Sequence, residues 1–174
     1  MDLIPSFSVD HTRIIPGIYV SRVDTLGDQK ITTYDVRVTR PNIEPGIDVA
    51  AMHTLEHLIA TYMRNDAEWK DQVIYWGPMG CLTGFYLILK GERKPEEIFS
   101  FLLSAFNSVE QVDEVPGASA ENCGNYLMHN LTMAKWYARK FAGYLAENAE
   151  NPDIFRYPGT ERLVIEDGRQ FFDS

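Results

Sequence analysis

The chain has 174 residues, of which 45% are hydrophobic, 12% aromatic and 24% charged; that is the length of one domain, with the balance of a chain that buries a core rather than staying disordered. Sixteen basic against twenty-five acidic residues leave a net charge of −9, which repels phosphate backbones and anionic lipid headgroups, and no basic patch compensates, so nucleic-acid binding is disfavoured. No apolar run reaches the ~20 residues that cross a bilayer; long ones such as Phe101 to Phe106 are interrupted, there by Ser104.

The N-terminus, Met1 to His11, carries Asp2 and Asp10 and lacks a basic region followed by an apolar stretch. It does not read as a secretory signal, and a cytoplasmic location is expected. Two cysteines, Cys81 and Cys123, make no disulfide framework in a reducing compartment, so each thiol needs its own explanation.

Arg13 to Val23 and Lys30 to Arg40 are rich in Ile, Val, Thr and Tyr and are separated by Leu26-Gly27-Asp28, which predicts an antiparallel strand pair. After a loop punctuated by Pro41, Pro45 and Gly46, Asp48 precedes Ala50 to Met63, where Met52, Leu55, Ile59 and Met63 recur at helical spacing. The turn Gly77-Pro78-Met79-Gly80 then leads into a strand-like run, Cys81 to Lys90. Pro95, the acidic pair Glu96 and Glu97, and the periodic Ile98, Leu102, Ala105 and Phe106 predict a second helix. Val115 to Asn130 is irregular, and Met133, Tyr137, Phe141 and Tyr144 mark a third helix. Strands grouped with helices but not strictly alternating with them predict an α+β fold, an antiparallel β-sheet packed against helices in a single domain spanning 1–174, with the tail 151–174 carrying no motif.

His53-Thr54-Leu55-Glu56-His57 has the HxxEH spacing, and on a helix the two imidazoles fall one turn apart on one face, where both can reach one metal ion. The composition makes a chance occurrence improbable, on the order of 0.01 per chain. Two histidines are too few for a transition-metal site, and Cys123, in a polar loop beside Gly124, is the attractive third ligand. A His₂Cys set with one open position suits Zn²⁺ or Fe²⁺ acting as a Lewis acid. Cys81 reads either as a small buried hydrophobe or, near a cation, as a thiol able to move protons at neutral pH. Glu56 can face the same side of the helix. His11 and His129, taken alone, read as ordinary structural histidines.

Together these residues resemble the LuxS family, the S-ribosylhomocysteine lyases. The matches are His53-Thr54-Leu55-Glu56-His57-Leu58, Gly77-Pro78-Met79-Gly80-Cys81 continuing into Thr83-Gly84-Phe85-Tyr86, and Cys123-Gly124 followed by His129. Ser6-Phe7 with Asp10-His11, and Asp35-Val36-Arg37 with Pro41-Asn42, agree in kind and order, so the resemblance runs from about Leu3 to Gly143. It implies cleavage of the thioether of S-ribosyl-L-homocysteine to L-homocysteine and 4,5-dihydroxy-2,3-pentanedione, the autoinducer-2 precursor of quorum sensing, within the activated methyl cycle. It further implies that His53, His57 and Cys123 bind Fe²⁺, replaceable by Zn²⁺ or Co²⁺, that Glu56 and Cys81 transfer protons, and that Ser6, His11 and Arg37 line the substrate site. A homodimer with its sites at the subunit interface is implied as well. The sequence departs from the family at Tyr75-Trp76-Gly77, where an acidic-Ile-Ser run is more usual, and in the segment from Asn151 onward.

HxxEH is also the arrangement of the inverted-zincin metallohydrolases, in which the Glu activates a metal-bound water and a downstream carboxylate is the third ligand. A regulatory metal-binding module with a closed four-ligand shell is the non-enzymatic alternative. Neither gives Cys81 a role.

Overall fold

The structure is a computed structural model that describes residues 9–159, 165–166 and 169–170. Strands β1 (Gly17–Leu26) and β2 (Gln29–Arg37) pair antiparallel through the two-residue Gly27-Asp28 turn, where Gly27 takes the positive φ that such hairpins demand. Helix α1 (Val49–Asn65) follows, then β3 (Val73–Pro78), β4 (Gly84–Lys90), α2 (Pro95–Ser108) and α3 (Leu131–Glu147), with a minimal hairpin of β5 (Ile165–Glu166) and β6 (Arg169–Gln170) in the tail. The main sheet has the order β1-β2-β4-β3, antiparallel throughout. The expected α+β architecture, an antiparallel sheet covered by helices, is what forms.

Three sequence expectations are corrected. Gly77 and Pro78, expected in a turn, end a strand, Val73–Pro78, which the sequence does not display because a register shift between Val73 and Tyr75 and the exposure of Ile74 and Tyr75 break the alternation that identifies a strand. Cys81 consequently does not open a strand but sits in the turn between β3 and β4. The first strand also begins later than Arg13, directly after Pro16, which has no N–H to give to a ladder.

Helix starts follow local chemistry. Asp48 accepts a hydrogen bond from the Ala51 N–H at 2.9 Å, Asn130 caps α3 by accepting from Met133 at 3.0 Å, and Glu97 reaches back to the Lys94 N–H at 2.7 Å ahead of Pro95. The apolar stripe of α1, Leu55, Ile59 and Met63, is fully buried, each side chain contributing about 1.5–3 kcal/mol of burial. Helix α1 packs on α3 and β3, and α2 on α3 and β1. No helix among the described residues is long and apolar enough to cross a membrane.

Strand β2 is buried on both faces. Tyr34, Val36 and Val38 join the helix-covered core with Phe85, Leu87 and Leu89 of β4. By strand alternation Asp35 and Arg37 point to the opposite face, yet both are only 3% exposed. The chain after α3 covers that face: a Cβ placed on Gly17 would lie 2.3 Å from the Ile154 carbonyl oxygen, and Tyr157 stacks on Tyr19 with ring centroids 4.7 Å apart. Trp76, in the segment that departs from the family pattern, turns into the core and stacks on Phe85 at 4.5 Å.

Candidate metal centre and thiol site

Helix α1 presents His53 and His57 on one face, and the irregular segment before α3 brings Cys123 and His129 to them. His53 donates Nδ1–H to the Met128 carbonyl at 2.9 Å, and His57 donates Nδ1–H to the Pro116 carbonyl at 2.8 Å. A carbonyl only accepts, so both rings carry their proton on Nδ1 and direct the Nε2 lone pair elsewhere. Gly117 has φ +70°, a backbone state that favours glycine, and follows the carbonyl that His57 uses.

The Cys123 sulfur lies 3.4 Å from His53 Nε2 and accepts the Asn125 N–H at 3.4 Å. Donors sharing one tetrahedral ion with the usual nitrogen and sulfur bond lengths sit roughly 3.3–3.6 Å apart. The Cys123–His53 separation falls in that range, and with the His57 donor within 4.8 Å of both the two imidazoles of fixed tautomer and the sulfur fit a divalent transition metal. Gly124, by contrast, faces open space: a Cβ there would meet nothing within 4 Å.

His129 is the member that sequence reasoning missed. Its ring stacks on His53 with centroids 4.1 Å apart, and the ligand atoms of His53, His57, Cys123 and His129 all lie within 4.8 Å of one another. Thr54 Oγ1 gives its only proton to the Ala50 carbonyl at 2.8 Å, so its contact with His129 Nδ1 at 3.1 Å has the imidazole as donor. His129 Nε2 is left as a buried lone pair with no partner among the described residues. Burial, and then the neighbouring His53 and His57, hold His129 below the ordinary imidazole pKa. The one signal in the sequence was its place six residues after Cys123 within the family-like block.

A second group forms at the β3–β4 turn. Arg37 donates through one nitrogen to Asp35 at 2.5 Å and through the other to Thr83 Oγ1 at 2.6 Å and to the Cys81 sulfur at 3.6 Å. Because Thr83 Oγ1 accepts from Arg37, its own proton is available to the Cys81 sulfur at 3.1 Å. Cys81 itself is exposed. Partial burial pushes its thiol up, but the Thr83 side chain and backbone and the Arg37 charge outweigh this and hold it below the ordinary thiol pKa. Leu82 next to it has φ 60°, a strained state for a branched residue that costs about 1–3 kcal/mol. Its carbonyl accepts the Ile47 N–H at 2.7 Å, which ties this turn to the lead-in of α1.

Glu56 lies half-buried on α1 beside His57. His11 is half-buried and donates Nδ1–H to the Val9 carbonyl at 2.8 Å. Ser6 lies outside the described residues. Among the described residues, no hydrogen bond or ion pair joins the histidine–cysteine cluster to the Cys81–Arg37 group.

The model of the S-ribosylhomocysteinase (LuxS) family matches residues 4–152. The chain belongs to the LuxS family. A relative from Phocaeicola vulgatus, an S-ribosylhomocysteine lyase, is 48% identical over 162 residues, covering 92% of this chain and all of the relative. The S-ribosylhomocysteine lyase of Clostridium beijerinckii is 45% identical over 159 residues, 91% of this chain and 99% of its own length. That of Finegoldia magna is 49% identical over 142 residues, 81% and 90% of the two chains. The LuxS match contains both side-chain groups described above, while Tyr157, which packs on the sheet behind Arg37, lies beyond it.

Proposed function

We infer that the chain is an S-ribosylhomocysteine lyase, a carbon–sulfur lyase that releases L-homocysteine and 4,5-dihydroxy-2,3-pentanedione from S-ribosyl-L-homocysteine. The observation that carries this reading is the near-full-length similarity to relatives bearing that name, in a chain whose His53 and Cys123 converge to 3.4 Å. The inverted-zincin alternative is not favoured: the donor converging with the histidine pair is a sulfur rather than a downstream carboxylate, and the relatives are lyases.

His53, His57 and Cys123 are proposed to hold one divalent ion per chain, Fe²⁺ in preference to Zn²⁺ or Co²⁺. Such an ion supplies Lewis-acid stabilisation of the negative charge that develops on a sugar oxygen when a proton beside a carbonyl is removed. Cys81 and Glu56 are the proposed proton-transfer residues. Cys81, held toward thiolate by Thr83 and Arg37, removes a proton at one carbon, and Glu56 serves another, so that the carbonyl migrates along the sugar chain until it stands next to the β-thioether. Loss of a further proton then breaks the carbon–sulfur bond, the electron pair leaving with the homocysteine sulfur.

Ser6, His11 and Arg37 are proposed to line the substrate site. The buried ion pair of Arg37 with Asp35 suits a positioning role toward Cys81 as well. A cytoplasmic homodimer with sites at the subunit interface, each chain a single domain, completes the reading and places the N-terminal segment of one chain beside the metal ligands of the other. Incubation of the purified protein with S-ribosylhomocysteine without oxygen, with titration of released thiol, tests the function. Thiol release by the native chain and its loss in Cys81→Ala with metal still bound are expected; no release from metal-loaded native protein overturns the reading.

A further inference from the structure

Tyr157 lies outside the residues matched by the family model, yet it is joined to the Cys81 site by a continuous chain of hydrogen bonds. Its hydroxyl donates to Asp35 Oδ2 at 2.9 Å. The same oxygen accepts from Arg37 at 2.5 Å, and the other guanidinium nitrogen of Arg37 reaches Thr83 and the Cys81 sulfur. The ring of Tyr157 stacks on Tyr19 at an interplanar angle of 10°. Tyr19 is the register partner of Asp35 on β1, and Tyr86 is its partner on β4. The segment after α3 therefore lies over the row of side chains that positions Arg37.

We propose that Tyr157 is a positioning residue for the Cys81 site, its hydroxyl sharing the Asp35 carboxylate with Arg37 and so setting how much of the guanidinium charge is left for the sulfur. This rests on the reading of Cys81 as the proton-transferring thiol. A carboxylate that accepts a second hydrogen bond has part of its charge neutralised, so it compensates its cation less completely. With Tyr157 in place, Arg37 offers more uncompensated positive charge to Cys81; without the hydroxyl, Asp35 holds Arg37 more fully and the thiolate is less favoured. The titratable and charged groups facing this site among the described residues are Arg37 and Asp35 on β2, Tyr19 on β1, Tyr86 on β4 with Arg22 of β1 acting on it, and Tyr157 itself. Burial, then the neighbouring Asp35 charge, hold Tyr157 well above the ordinary phenol pKa, so it remains a proton donor across the working range.

The test is the pH dependence of Cys81 alkylation by iodoacetamide, read by peptide mass mapping that separates Cys81 from Cys123. Tyr157→Phe keeps the ring and its stack on Tyr19 and removes only the hydroxyl. The midpoint of Cys81 alkylation should rise by about half a pH unit, roughly a threefold fall in thiolate below the midpoint. Asp35→Asn should move it in the opposite direction, because Arg37 then faces the sulfur uncompensated. A midpoint unchanged in Tyr157→Phe, or lowered, overturns the proposal, and a shift of the same sign in both variants overturns it too, since that is what loosened packing would give. Alkylation needs no turnover, so a null result here leaves the lyase reading standing, while failure to release homocysteine leaves this measurement readable.

Discussion

The Cys123 sulfur stands 3.4 Å from His53 Nε2, although 70 residues separate the two in the chain. That approach is enforced from the helix side by the Met128 carbonyl, which fixes the His53 ring, and from the loop side by the Cys123 N–H, which donates to the Ser119 carbonyl at 2.9 Å. Cys123→Ala should therefore fold normally, since it removes a loop side chain, but lose metal affinity by at least ~100-fold, more than the loss typical of removing an outer partner. Metal analysis after gel filtration, with circular dichroism as the folding control, reads this directly. Stoichiometric metal in the variant counts against Cys123 as a ligand.

The carbonyl that orients His57 belongs to Pro116, and the next residue is Gly117 at φ +70°. A Cβ at Gly117 would make only ordinary contact, 3.6 Å from His57 Nδ1, so the penalty of substitution is conformational. Gly117→Ala should cost about 1–2 kcal/mol of stability and, by moving the Pro116 carbonyl, weaken metal binding by about 10-fold. Chelator competition measures the second effect. An alanine variant with native metal affinity would show that the His57 tautomer is held by something other than this carbonyl.

Thr83 is 8% exposed and stands between Arg37 and Cys81, accepting from one and donating to the other. A group held toward its anion by hydrogen bonds recovers a higher pKa when they are removed. Thr83→Val should thus raise the Cys81 pKa, lower the thiolate fraction at neutral pH, and move the acidic limb of the kcat/KM profile to higher pH. Activity lost at pH 7 should partly return as pH rises, a recovery that simple misfolding would not give. A profile shifted to lower pH contradicts the assignment.

Much of this was legible in the sequence, for identifiable reasons. The stripe Leu55, Ile59 and Met63, the Asp48 cap and the Gly27-Asp28 turn are local signals, and each corresponds to a local structure. The pairing of His53 with His57 follows from helical spacing alone. Strand β3 was hidden because its bulge and its exposed Ile74 and Tyr75 erase the period of two. His129 and Tyr157 were hidden for another reason: their partners, Thr54 and Asp35, are 75 and 122 residues away, and no local pattern records a contact made by tertiary packing. Asp35 and Arg37 did carry a signal, since two charged residues at i and i+2 in a strand share a face and, when that face is buried, must pair.

Thr54 Oγ1 carries the last prediction, because three partners depend on it. It donates to the Ala50 carbonyl at 2.8 Å and accepts from the Asn130 N–H at 2.9 Å and from His129 Nδ1 at 3.1 Å. Asn130 is the cap of α3, so one hydroxyl joins the histidine helix, the start of α3 and the extra imidazole. Thr54→Val preserves shape and leaves the Asn130 N–H and the His129 Nδ1–H without their acceptor, while the Ala50 carbonyl keeps its helical partner. Leaving these partly buried donors unpaired should cost about 1 kcal/mol, the low end of the range for a lost buried partner. In urea unfolding of the metal-free protein this appears as a lower midpoint at unchanged slope, because the surface exposed on unfolding is the same. A midpoint equal to that of the native chain would mean that Asn130 and His129 find other acceptors, and that Thr54 does not couple α1 to the loop carrying Cys123.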